Sequence, residues 1–404
     1  MIALKDICSL NKILEKRKNR KQRIVEKVSK IIKRVREEGD KAVIEYTRKF
    51  DKVKLSPKEL RISESEISSA FNELDSQLIS AFKLAMDNVF KFYRHQVCKP
   101  ITLKEPNGKL TKVKYVPIER LGIYVPSGTA PLVSTVYMCA IPALVAGVKE
   151  LVVVSPVRQD KSINPFILAV SSLLKIKEMY KIGGAQAIAA LAFGTKTIKK
   201  VDKIIGPGNE FVTEAKRQVF GQVDIDMLAG PSEVVIIAGK STRVDYIIAD
   251  LEAQIEHRNG LGIVITNSRR LFNELKKLDT KGFVIKVRNL DEAADIANRI
   301  APEHLEIFTS QPSSLLKKIS NSGAIFLGEN TPVALGDYLA GPSHVLPTSG
   351  SARFFSSLSL RDFLKEVHII SYTKKAISEE FSALEKIASL EGMSKHIESV
   401  KRRL

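Results

Sequence analysis

Nine short runs rich in Val, Ile and Leu, set between residues 121 and 328 with helical segments in the gaps, constrain the fold of this chain more than any other feature. They are "LGIYVP" (121–126), "LVVVSPV" (151–157), "KEMYKIG" (177–183), "VDKIIG" (201–206), "VVIIAG" (234–239), then "GIVITN" (262–267), "GFVIKV" (282–287), "LEIFTS" (305–310) and "GAIFLG" (323–328). Repetition of strand, helix, strand implies parallel pairing through right-handed crossovers, and the runs fall into two sets. The fold class is therefore α/β, with two Rossmann-like parallel-sheet domains. Sites in such sheets gather at the carboxyl ends of the strands.

Residues 22 to about 100 read as helical scaffold. "QRIVEKVSKIIKRVREEGDKAVIEYTRKFD" carries Ile24, Val28, Ile31, Ile32 and Val35 at three-to-four spacing, and "EEGD" breaks it before a second amphipathic run. "LDSQLISAFKLAMDNVFKFYRHQV" predicts a further long helix. From 329, "ENTPVALGDYLAGPSHVLPTSGSARFFSS" is dense in Gly, Pro, Ser and Thr, and a loop of that length inside a compact domain is usually functional. A final amphipathic helix is predicted over roughly 377–402.

Length allows two or three domains: the chain has 404 residues. No apolar run reaches the twenty or so residues of a membrane helix, and the start "MIALKDICSLNKILEKRK" lacks a signal-peptide pattern, so a cytoplasmic location is expected. Three cysteines, Cys8, Cys98 and Cys139, make neither a disulfide framework nor a metal knuckle, and Cys139 in "VYMCAIPAL" reads as a buried structural thiol. The charge is +19, from 64 basic against 45 acidic residues, but it concentrates only in "EKRKNRKQR" (15–23), "KRVR" (33–36) and the terminal "KRRL". With no tryptophan and no RNA-reading aromatic motif, a solvated basic surface explains this better than a nucleic-acid partner.

Several segments carry chemistry. "IGGAQAIAALAFG" and "IIGPGNEFVTEAKR" each follow a strand and open a helix, so free N–H groups and a positive helix end are available to a phosphate or cofactor amide. Neither matches GxGxxG, and plain tight turns fit the pattern as well; Gln186 and Asn209 inside them favour binding. In "STRVDYIIADLEAQIEHRNG" a capping-box-like Thr242 to Asp245 precedes a stripe of Val244, Ile248, Leu251 and Ile255. Gln254 and His257, three apart near the helix end, can share a metal ion, although from this helix alone a histidine favoured by the helix dipole is the better reading. "GDYLAGPSHVL" adds Asp337 and His344, and "LEGMSKH" adds Glu391 and His396. Of six histidines, His95 and His368 look structural. Mixed N/O donors from separate segments suit zinc, and the lack of a Cys ligand argues against a purely structural ion. Glu303 and His304 fall in a short connection where turn backbone can aim consecutive side chains into one volume, with Pro302 biasing Ala301 towards an extended conformation. A helix stop with solvated polar residues accounts for the pair just as well.

Taken together, "GIYVPSGTAPL", "GGAQAIAALAFGT", "GPGNEFVTEAKR", "DMLAGPSEV", "LEAQIEH", "APEHLE", "GDYLAGPSHVLPT" and "LEGMSKH" resemble the histidinol dehydrogenase family, from about residue 24 to 396. The resemblance implies an aldehyde-dehydrogenase-like pair of α/β domains in a homodimer, with zinc and NAD, oxidising L-histidinol through L-histidinal to L-histidine. It makes Glu303 and His304 the catalytic pair and places Gln254, His257, Asp337 and His396 at zinc-ligand positions that, with His304, also face the substrate. Ser232, His344 and Glu391 match substrate contacts, and Tyr124, Gln186 and Asn209 match NAD contacts. The implied division is a scaffold, 1–119, joining the second α/β domain; an NAD-contacting domain, 120–236; a domain with zinc and the catalytic pair, 237–355; and a tail, 356–404, exchanged with the partner subunit. Ser127 stands where the family often has glycine, and Arg258 follows the zinc histidine where another residue is expected. A zinc hydrolase with Glu303 activating water, and a basic nucleic-acid-binding protein, are the alternatives; neither uses the turns bearing Tyr124, Gln186 and Asn209.

Overall fold

A computed structural model describes the chain apart from residues 5–6, 19–21, 73, 128–130 and 258. The departure at Arg258 lies outside the described residues. In chain order the strands are β1 (Ile2–Leu4), β2 (Ile101–Lys104), β3 (Leu110–Pro117), β4 (Arg120–Tyr124), β5 (Glu150–Ser155), β6 (Glu178–Lys181), β7 (Lys203–Ile205), β8 (Asp224–Ile225), β9 (Glu233–Ala238), β10 (Leu261–Thr266), β11 (Phe283–Lys286), β12 (His304–Phe308), β13 (Ala324–Leu327) and β14 (Leu364–Ser371). All nine predicted strands are present.

They form two parallel sheets. One has the order β6-β5-β4-β7-β8 and the other β1-β11-β10-β9-β12-β13. Every residue of β4, β9, β10 and β12 is buried, as expected where helices cover both faces of a parallel sheet. The predicted boundary at 236 therefore needs correcting: it cuts through β9, which pairs with β10 and β12 inside the six-stranded sheet. Apolar pattern alone cannot say which sheet a strand joins.

The N-terminal scaffold also divides differently. Only the first segment joins the second domain, with β1 on β11 and Leu10 in that sheet's core. Helix Gln22–Glu38 buries Ile24, Val28, Ile31 and Val35, and with helix Asp40–Phe50 it packs on the five-stranded sheet. Gly39, at φ +56, makes the break between them. The long helix is Ser76–Arg94, capped by Asp75 Oδ1 accepting from Leu78 N at 2.7 Å.

A third sheet, β14-β3-β2, is antiparallel and was not predicted. Its hairpin turns at Asn107–Gly108, where Gly108 has φ +86, an Asn-Gly signal between two β-rich runs. The single predicted helix at 377–402 is two, Lys374–Leu390 and Ser394–Lys401, because Gly392 takes φ +71 between them. Among the described residues no helix is long and apolar enough to cross a membrane.

Candidate active site

Glu303 and His304 do not lie in an open connection. Glu303 immediately precedes β12 and His304 is its first residue, opposite Val234 and Ala324, so the pair sits at the amino edge of the six-stranded sheet. Nor is Ala301 extended: it is the left-handed cap of helix Leu290–Ile300 (φ +51), its N–H donating to Ala297 O at 2.8 Å. The chain must reverse sharply there, and complete burial of Ala301 holds a conformation that costs of order 1 kcal/mol or more.

β9 clamps the pair. Glu303 Oε2 accepts from Ser232 Oγ at 2.5 Å and from Glu233 N at 3.0 Å. His304 Nδ1 lies 3.3 Å from Glu233 O, the contact expected of a protonated Nδ1, and 3.6 Å from Glu303 Oε2. That leaves Nε2 as the basic nitrogen, and it is buried without a hydrogen-bond partner, 3.8 Å from Asp337 Oδ1. Burial pushes the His304 pKa below its ordinary value, outweighing the nearby Asp337 carboxyl, and the neighbouring His257 ring acts in the same direction as burial. Asp337 is pushed up, chiefly by desolvation.

Gln254 and His257 close helix Val244–Glu256 and its C-cap at the same amino edge. The buried face is Ile247, Leu251 and Gln254, one position off the predicted stripe, so Gln254 points inward. Thr242 is not a cap; its hydroxyl donates to Phe308 O at 2.7 Å. The Gln254 amide is buried with Nε2 unpartnered, and a half-turn of the amide puts Oε1 in that position. His344 Nε2 is 3.0 Å from Ser134 Oγ, and surrounding protein pushes its pKa down to about 4.

Helix Val333–Tyr338 carries Asp337 inside the predicted loop. That loop joins both halves: Ser349 N donates to Glu233 Oε1 at 2.9 Å, and Tyr137 from the helix after β4 donates to Tyr338 O at 3.1 Å. Thus the amino edge of one sheet, where Glu303 and His304 stand, meets the carboxyl edge of the other.

The three residues with turn chemistry lie at the carboxyl edge of the five-stranded sheet. Tyr124 ends β4, and its hydroxyl accepts from Gly184 N at 3.1 Å; burial raises its pKa to about 12, so it stays protonated. Gln186 is buried with Oε1 unpartnered. Asn209 caps helix Glu210–Val219, its Oδ1 accepting from Phe211 N and Val212 N, so only its amide N–H groups are left for a ligand. In the turn before it, Gly206 at φ +111 would bring a Cβ within 2.2 Å of Tyr124 O, so any other residue is excluded.

Glu391 and His396 are exposed in the tail, whose polar contacts go to the hairpin: Lys109 Nζ to Glu380 at 2.8 Å and Asn107 Nδ2 to Glu379 at 2.8 Å. Among the described residues no group of three or more His, Cys, Asp or Glu side chains converges to hold a metal. The structure thus gathers Glu303, His304, Ser232, Gln254, His257, Asp337 and His344, and leaves Glu391 and His396 apart. Sequence reasoning missed Ser134, Glu233 and Phe326, whose ring is 6.0 Å from that of His304; Glu233 stood inside the quoted motif "DMLAGPSEV".

Two parallel sheets meeting beside a buried acid–imidazole pair make an α/β protein with an enzyme-like site. The family model for histidinol dehydrogenase matches residues 14–404. A histidinol dehydrogenase of Carboxydothermus hydrogenoformans is 43% identical, covering 99% of this chain and 99% of its own; that of Caldanaerobacter subterraneus is 44% identical, covering 98% and 96%. The crystal structure of histidinol dehydrogenase from Elizabethkingia anophelis superposes with a TM-score of 0.90 at 36% identity, covering 95% of this chain and 93% of that one. The chain belongs to the histidinol dehydrogenase family.

Proposed function

We propose that this chain oxidises L-histidinol to L-histidine through L-histidinal, with NAD as oxidant and one zinc ion per site, in the cytoplasm, as the last step of histidine biosynthesis. The observation that carries the reading is the pair itself: an unpartnered, buried imidazole nitrogen beside a carboxylate held by two hydrogen bonds. NAD would supply the hydride acceptor and zinc would hold the substrate in place. Orphaned Gln186 Oε1 and the free Asn209 amide fit the first, with Tyr124 lining the same turn; Gln254, His257 and Asp337 fit the second, being N and O donors around a buried amide with no partner of its own.

His304 Nε2 accepts the hydroxyl proton as hydride leaves the alcohol carbon, and its depressed pKa keeps it a free base at neutral pH. Glu303, fixed by Ser232 and Glu233, then takes a proton from the water that attacks the aldehyde, so the hydrate yields a second hydride. Adjacency follows from the need for two proton transfers at one carbon. His344 and Ser232 are assigned to the substrate.

The fourth zinc ligand, His396, and the substrate contact Glu391 are assigned to the tail of a second subunit in a homodimer. In support, the tail leaves Ile387 61%, Leu390 89% and Met393 46% exposed in one chain, an apolar stretch that needs a cover. No nucleic acid or membrane enters this reading.

The test is NADH formation from L-histidinol by the zinc-loaded protein. Two NADH per histidinol are expected, lost on chelation and reduced at least 100-fold in His304→Asn. A folded, zinc-loaded dimer that forms no NADH sinks the proposal.

A further inference from the structure

Glu306 enters the interior from the middle of β12 and has no exposed surface. A carboxyl there is costly, and Leu would fill the layer without that cost. Its contacts connect it to both arms of the site. Oε1 accepts from Val333 N at 3.1 Å, and Val333 opens the helix that carries Asp337. Oε2 is buried without a hydrogen-bond partner, and the carboxyl close enough to influence it is that of Asp250, one helical turn before Gln254. Two carboxyls that close require a proton between them. Burial raises Asp250 to about 6, and burial with the Asp250 charge raises Glu306 to about 9, so the proton is retained at neutral pH.

We propose that Glu306 is a positioning residue for the metal site: through Val333 and Asp250 it holds the two segments that present Asp337 and Gln254. The inference rests on the reading of Gln254, His257 and Asp337 as zinc ligands. It differs from a packing role, because what it fixes is the relative placement of a short helix and a long one, and a side chain of equal volume without polar atoms cannot do that.

The experiment is zinc affinity of the full-length protein, measured by competition with a chromophoric chelator, for wild type, Glu306→Leu, Glu306→Gln and Asp250→Ala, with apo melting temperatures alongside. Glu306→Leu is expected to bind zinc about 10- to 100-fold more weakly, the usual consequence of losing an outer support, with any fall in the apo melting temperature read separately. Glu306→Gln, which accepts from Val333 N through its carbonyl and donates to Asp250 through its amide, should stay within about threefold of wild type. Asp250→Ala, nearer the surface, should weaken zinc about tenfold and decides the matter if Glu306→Leu does not fold. Wild-type affinity in Glu306→Leu or in Asp250→Ala overturns the inference while leaving the zinc reading intact. A wild-type protein that binds no zinc overturns both.

Discussion

In the proposed reaction His304 acts through what surrounds each nitrogen. Glu233 O takes Nδ1, so the tautomer is set and the basic lone pair belongs to Nε2, which faces Asp337 without a hydrogen bond. Desolvation lowers the pKa from its ordinary 6.5, and the neighbouring Asp337 charge only partly opposes this. The sign follows directly: the reaction needs the neutral ring, so activity fails only when pH falls below the depressed value. The acid limb of kcat/KM for L-histidinol, which reports the free enzyme, is therefore expected to centre below pH 6.5 and to vanish in His304→Asn with the residual rate. Zinc, if bound as proposed, would add positive charge and move the limb the same way. A limb centred above 6.5 contradicts the assignment. The same displacement makes the unfolded chain the better proton binder, so this group contributes stability that is lost as pH falls through that range. Candidates for chemistry were legible where type and spacing coincided, as for Gln254 and His257. Glu233, Ser134 and Glu306 were not, because their roles come from neighbours brought together by the sheets.

At the scale of elements, the turn 206–209 shows how a buried ion pair shapes a loop. Lys216 Nζ donates to Asp226 Oδ1 at 2.7 Å and to Gly206 O at 2.5 Å, while Asp226 Oδ2 accepts from Gly206 N at 2.8 Å. Both side chains are almost wholly buried, at 3% and 1% exposure, so neither charge has water to fall back on. Removing one partner leaves the other buried and uncompensated. Lys216→Met and Asp226→Leu singly should each cost about 3–5 kcal/mol in urea unfolding, and the double variant should cost less than either. Additive losses would show that the pair does not act as a unit. Elements themselves were largely readable: nine strands, the break at Gly39 and the stripe of helix Gln22–Glu38 follow from local pattern. The hairpin at Asn107–Gly108 carried a readable signal that was passed over. β14 lies far from it in sequence, and only its pairing with β3 makes it a strand.

The whole molecule raises the question of where a site ends. Under the proposed reading one chain supplies Gln254, His257, Asp337 and the Glu303–His304 pair, but its His396 stands on an exposed helix at the end of a tail tied to the β2–β3 hairpin. Two apolar surfaces call for cover in the same region, since β2 leaves Ile101 at 60% and Leu103 at 59% exposed and β14 leaves Ile370 at 67%. In the proposed two-fold dimer such surfaces would be covered pairwise, and exchange of tails would bring each His396 to the opposite body. Mixing two dead chains then distinguishes exchange from a site made within one chain. His304→Asn has a ruined body and a sound tail; His396→Asn has a sound body and a ruined tail. In a heterodimer with exchange, one site collects both defects and the other collects none. If random reassortment makes half of the dimers mixed, about a quarter of wild-type activity returns from two inactive parents. Sites built within one chain would return nothing, because every site would still carry one defect. Activity measured before and after co-refolding the two variants, with zinc held constant, decides between the two arrangements.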